Sequence, residues 1–118
     1  RDNAKVSHLC EPLSPPVLRV LTDVIRTCQR AGKPVTLCGE MAGQPRAFVL
    51  LYGMGLRSFS MSPAIIPSIK ELTAHVTAKQ SRAILERALK LKTSSQIIRF
   101  MGQRMHEICP DLELLDSP

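Results

Sequence analysis

PVTLCGEMAG, residues 34–43, decides the fold. Val35, Thr36, Leu37 and Cys38 suit a buried strand, and they give way at once to Gly39 and Glu40. Glycine at that point lets backbone or a ligand come close. Helical signals return at Pro45. In a strand, turn, helix unit of this kind, functional groups collect at the carboxyl end of the strand, where the loop opens onto a shared mouth. Cys38 stands at that end, with Gly39 and Glu40 beside it.

Upstream, residues 1–13 show no sustained period and read as an extended or irregular lead-in. Ser14 offers an N-cap, with Pro15 at the first helical position. Val17, Leu18, Leu21, Val24, Ile25 and Cys28 then recur at helical spacing, and Gly32 is placed to stop the run. The spacing predicts a helix over 15–31. Downstream, Ala47, Phe48, Leu50 and Leu51 predict an apolar helix opened by Pro45 and ended by Gly53 and Gly55. That GMG follows a helix and not a strand, so it reads as a stop and tight turn and not as a dinucleotide fingerprint. Residues 58–61 form a second short strand. Ile65, Ile66, Ile69, Leu72 and Val76 predict a third helix that Pro67 starts or kinks. Two capping boxes follow: Thr77 with Gln80, and Thr93 with Gln96, the second opening a helix that carries Met101 and Met105 as core and ends at Pro110. The last residues look like an acidic, loosely held tail.

The order is helix, strand, helix, strand, then three helices. Such alternation belongs to an α/β fold with a parallel sheet. Two strands are too few, since a covered sheet needs neighbours and a barrel needs about eight strands in roughly 250 residues. A piece of a larger sheet, or a chain that completes its sheet by pairing with another copy, satisfies the count. The start at Arg1, without an initiator Met, is how an excised or processed piece would look.

Composition narrows the function classes. The hydrophobic share of 44% in 118 residues fits one globular domain, while an aromatic share of 3% makes its core aliphatic and argues against recognition by base stacking. The net charge of +6 favours anions, but the basic residues are spread along the chain, so nucleic acid is not expected as a partner. Cys10, Cys28, Cys38 and Cys109 lie too far apart for a CxxC pair, and His8, His75 and His106 supply no zinc-type spacing, so no metal site is expected here. No signal peptide is legible, and Cys28 falls mid-helix on an apolar face. Reduced thiols in a cytoplasm are therefore expected. No apolar run is long enough to span a bilayer.

At CGEMAG (38–43) followed by LLYGMGLRSFSMSP (50–63), the sequence resembles the C-terminal end of the phosphoenolpyruvate-protein phosphotransferases, enzyme I of the bacterial phosphotransferase system in its sugar and nitrogen-related branches. The likeness extends back through RDN (1–3), VSHL (6–9) and SPPVLRVL (14–21), and forward through IPSIK (66–70), covering roughly residues 1–76 in one register. It implies a partial (β/α)8 TIM barrel comprising the last two strand-helix units plus C-terminal helices, with residues 1–118 as a C-terminal fragment of the phosphoenolpyruvate-binding barrel domain. It also implies a magnesium cofactor whose ligands lie upstream of this sequence, a homodimer, and transfer of the phosphoryl group to a histidine on a separate domain that serves a histidine phosphocarrier protein. Two positions carry over by resemblance. Cys38 matches the family's acid/base, which protonates enolpyruvate as pyruvate forms, and Arg1 matches an arginine that contacts substrate phosphate. The aspartate that precedes this arginine in the family is absent, and Gln44 replaces an acidic residue usual after AG.

Carbon protonation needs a positioned acid on one face of a planar enolate, and an ordinary thiol, with a pKa of about 8.5, is protonated near neutral pH. The competing account of Cys38 is a small buried hydrophobe, the usual fate of a free cysteine. Glu40 can orient a neighbour near the site or simply favour a helix dipole. Cys10, Cys28 and Cys109 read as structural or incidental, and the three histidines as facing solvent or satisfying local bonds. The isolated 118 residues are expected to be catalytically silent. A different class of function, a non-catalytic self-association or interaction module, is suggested by the incomplete sheet.

Overall fold

The computed structural model describes residues 2–111. A short 3-10 turn at Ser7–Leu9 interrupts the lead-in, and α1 runs over Pro15–Arg30. Ser14 caps it with its carbonyl, which accepts from Leu18 N at 3.0 Å, but its side chain makes no capping bond. The cause is local: Pro15 and Pro16 have removed two of the N–H groups a cap would serve. At the other end Gly32, at φ 63°, donates to Gln29 O, and Lys33 donates to Cys28 O at 2.8 Å. This paired arrangement needs a left-handed residue after the cap, which glycine supplies.

Strand β1 (Leu37–Cys38), a 3-10 turn (Glu40–Gly43), helix α2 (Pro45–Met54) and strand β2 (Phe59–Ser60) form one strand-helix-strand unit. The strands pair in parallel, Leu37 with Phe59 and Cys38 with Ser60. Both are shorter than the sequence suggests, two residues each instead of four. Each strand has one hydrogen-bonded neighbour and an open edge among the described residues, so the ladder has no second partner to extend it. Three helices follow: α3 (Ile66–His75), α4 (Ala78–Ala88) and α5 (Ser94–Ile108).

Helix α2 is the centre of the core. Ala47, Phe48, Val49, Leu50, Leu51 and Met54 are all buried, so it is apolar on every face, as a helix enclosed on all sides must be. On one side Phe48 meets Phe59 of β2, ring centroids 4.8 Å apart. On another, α4 crosses it so closely that a Cβ on Gly53 would lie 2.4 Å from the backbone oxygen of Ser81. Gly53 therefore does not end the helix, contrary to the sequence reading; it lies inside α2 and admits α4. The stop is Gly55 alone, at φ 101°, with Leu56 donating to Leu51 O.

Ser81, fully buried at that crossing, has a hydroxyl with no hydrogen-bond partner. Buried Thr22 differs, its Oγ1 donating to Leu18 O at 2.7 Å. An unsatisfied buried hydroxyl costs about 1–3 kcal/mol. Ser81→Ala should thus stabilise the fold by about 1 kcal/mol, read as a rise in the denaturation midpoint; a loss of stability would show that the hydroxyl has a partner.

Two further expectations change. Thr77 and Gln80 form the full reciprocal capping box, but Gln96 reaches past Thr93 to accept from Lys92 N at 2.9 Å, so only half of the second box forms. Thr77→Ala should cost about 1 kcal/mol, with Gln80→Ala sharing that loss because both bonds join the same two residues; a double-mutant cycle in equilibrium unfolding checks the coupling. On α1, Val17, Val20 and Val24 are exposed, and only Leu18, Thr22 and Ile25 are buried. The apolar stripe is wider than the elements packed on it. Ile65 and Ile66 are likewise exposed, while Val76 is buried just past the end of α3. Met101 and Met105 lie in the core.

Candidate functional site

Side chains alternate across a strand. Leu37 and Phe59 pack on the core, so Cys38 and Ser60 project from the other face of the sheet, and both are exposed. Thr36 and Ser58 continue the same alternation, their hydroxyls 2.8 Å apart. The face away from α2 is therefore lined by three hydroxyls and one thiol. It is small, polar and uncovered by any described residue, unlike the greasy face beneath it.

Cys38 ends β1 with its thiol exposed, which excludes the role of a buried core filler. All four cysteines are free; Cys10 is exposed, Cys28 half-buried and Cys109 buried, so only Cys109 is a full core residue. The three histidines are exposed. Gly39 follows Cys38 at φ 93° and ψ −173°, a backbone conformation open in practice to glycine alone. Its missing Cβ would touch nothing within 4 Å, so the constraint is the backbone turn and not crowding. That turn swings Glu40 to the rim and starts the 3-10 segment. Gly43, by contrast, is packed: a Cβ there would lie 3.1 Å from Ile65 Cδ1.

Two clefts of about 350 Å³ flank this strand end. One lies toward β2, between Gly39 and Glu40 on one side and Ser60 to Ser62 on the other, with Ile65 at its edge. The second contains Cys38 itself, with Cys10, Glu11 and Met41 among its walls. Glu40 borders both. The structure thus gathers Cys38, Gly39 and Glu40 at the carboxyl ends of the strands, where the sequence reading puts them. Arg1 lies outside the described residues. Thr36, Ser58 and Ser60 were missed, although their two-residue spacing along each strand was a usable signal.

Among the described residues no three His, Cys, Asp or Glu side chains converge to hold a metal ion. Glu40 is the one carboxylate common to both clefts, whereas magnesium takes near-octahedral oxygen ligation. The described residues do not by themselves fit that ion. No helix of the described chain is long and apolar enough to cross a membrane.

Comparison with known proteins bears on this rim. A family profile described as PEP-utilising enzyme, PEP-binding domain, matches residues 1–78. Proteins named phosphoenolpyruvate-protein phosphotransferase are similar over most of the chain. That of Buchnera aphidicola (subsp. Acyrthosiphon pisum) is 40% identical over 101 residues, 86% of this chain and 18% of the relative. The Haemophilus influenzae protein is 40% identical over 107 residues, covering 91% and 19%, and the Cupriavidus necator protein 45% identical over 89 residues, covering 75% and 15%. The chain spans less than a fifth of the length of these relatives.

Proposed function

Because the chain belongs to the family of PEP-utilising enzymes, matching its PEP-binding domain, we propose that it supplies the carboxyl-terminal part of a phosphoenolpyruvate-binding (β/α)8 barrel in a phosphoenolpyruvate-protein phosphotransferase. The observation that carries this reading is the exposed Cys38 thiol at the end of β1, on the uncovered polar face of a two-stranded parallel sheet. In a closed barrel that face would look inward and its strand ends would open onto the active site. The open strand edges and the exposed valines of α1 are surfaces that neighbouring strand-helix units would cover.

The proposed overall reaction moves the phosphoryl group of phosphoenolpyruvate to a protein histidine and from there to a histidine phosphocarrier, leaving enolpyruvate. Cys38 then acts as general acid. Its S–H bond breaks, a C–H bond forms at the methylene carbon, and the enolate electrons close to the ketone of pyruvate. The thiolate left behind is exposed and regains a proton from water. Arg1 is proposed as a phosphate contact, and Gly39 and Glu40 as the turn that presents the thiol. Magnesium, when bound, would neutralise phosphoryl charge; its ligands are proposed to lie in the remainder of the protein, as does the phosphorylated histidine.

The complete protein with phosphoenolpyruvate and magnesium is expected to release pyruvate in step with the appearance of acid-labile phosphohistidine. Pyruvate without protein phosphorylation, or neither product, would overturn the assignment. The exposed edges and valines also fit self-association through this same surface. Sedimentation of the complete protein tests that pairing, since a strict monomer at all concentrations would leave it without support.

A further inference from the structure

Three arginines from separate elements line one open cavity of about 550 Å³: Arg26 of α1, Arg57 from the loop before β2, and Arg82 of α4. Gln29, Gly53, Met54 and Gly55 complete the walls, and no carboxylate of the described residues takes part. Arg57 is held in place. Its Nη1 donates to Tyr52 O at 2.9 Å and to Leu56 O at 2.8 Å, and its guanidinium sits 4.0 Å above the Tyr52 ring. Gln29 is held as well, Nε2 donating to Gly55 O at 2.8 Å. The remaining N–H groups of Arg57, and those of Arg26 and Arg82, have no hydrogen-bond or ion-pair partner among the described residues.

Like charges that share a cavity without a counter-charge repel one another, and their summed potential draws anions. Guanidinium forks present paired donors that match phosphoryl and carboxylate oxygens. The volume falls within the range of small-ligand sites, about 300–1,000 Å³. We propose that this cavity is a binding site for a small oxyanion carrying two or more negative charges. The site lies at the opposite end of the strands from Cys38, since Arg57 precedes β2 whereas Cys38 ends β1. Its occupant would thus bind apart from the molecule turned over at the rim. By joining Arg26, Arg57 and Arg82 the anion would tie α1, the loop before β2 and α4 together.

Calorimetric titration of the complete protein at low ionic strength, with inorganic phosphate and separately with citrate, tests this and separates phosphoryl from carboxylate preference. At least one should bind the wild type at least tenfold more tightly than the Arg26→Gln/Arg82→Gln double variant, with chloride at matched ionic strength giving no such difference. Both arginines are exposed and unpartnered among the described residues, so the variant should melt no lower than wild type. If it fails to fold, each single variant is expected to weaken binding on its own. Hydrogen exchange should slow at residues 26–29 and 53–57 when the anion is added. Equal binding by wild type and variant, binding of neither anion, or protection confined to residues 38–44 would overturn the proposal.

Discussion

Replacing Gly53 with alanine is expected to destabilise this chain by on the order of 3 kcal/mol, the upper part of the range for overpacking a filled core. The new methyl would lie 2.4 Å from Ser81 O and 2.7 Å from Ser81 C, both backbone atoms of α4. Backbone inside a helix cannot swing aside as a side chain does, so α2 and α4 must separate and the packing of Leu50, Leu51, Leu85 and Ala88 loosens with them. Gly102 is the control. It also lies in a helix, α5, yet a Cβ there would meet only Arg46 Nη2, at 4.0 Å. Gly102→Ala should stabilise by up to about 1 kcal/mol, the helix-propensity difference. Urea unfolding followed by circular dichroism decides: equal effects of the two substitutions would mean that α2 and α4 are not in backbone contact.

The second large effect concerns chemistry and rests on the proposed role of Cys38. In the complete protein, Cys38→Ala should slow exchange of the pyruvate methyl protons with deuterated water by about 10²–10⁴-fold, the usual span for loss of a general acid or base. Forward release of pyruvate should fall less, because enolpyruvate that escapes the site ketonises in water unaided. Cys38→Ser should behave like the alanine variant, since a hydroxyl is a far weaker acid than a thiol. The thiol is exposed, so neither substitution should move the melting temperature appreciably. Retention of wild-type exchange in both variants would remove Cys38 from the mechanism.

Local chemistry was readable without coordinates. Prolines at the first turns of α1, α2 and α3, glycines at 32 and 55, and Thr77 with Gln80 mark helix ends because each acts on backbone groups within a few residues of itself. The Cys38-Gly39-Glu40 turn was equally legible, the glycine meeting a need of its own backbone. Gln96 shows where such reading stops: its spacing from Thr93 suits a full box, yet its side chain accepts from Lys92 N instead.

The sequence by itself determined the element order, the helix starts and the strand that delivers Cys38, all consequences of short-range hydrogen bonding and of apolar period. Only the tertiary structure decided that Gly53 admits a crossing helix, that Val17 and Val24 stay exposed while Leu18 and Ile25 are covered, and that Arg26, Arg57 and Arg82 share a cavity. Each of these depends on which distant segment arrives opposite a given residue. That arrival is settled by the packing of the whole core and not by any one stretch of chain.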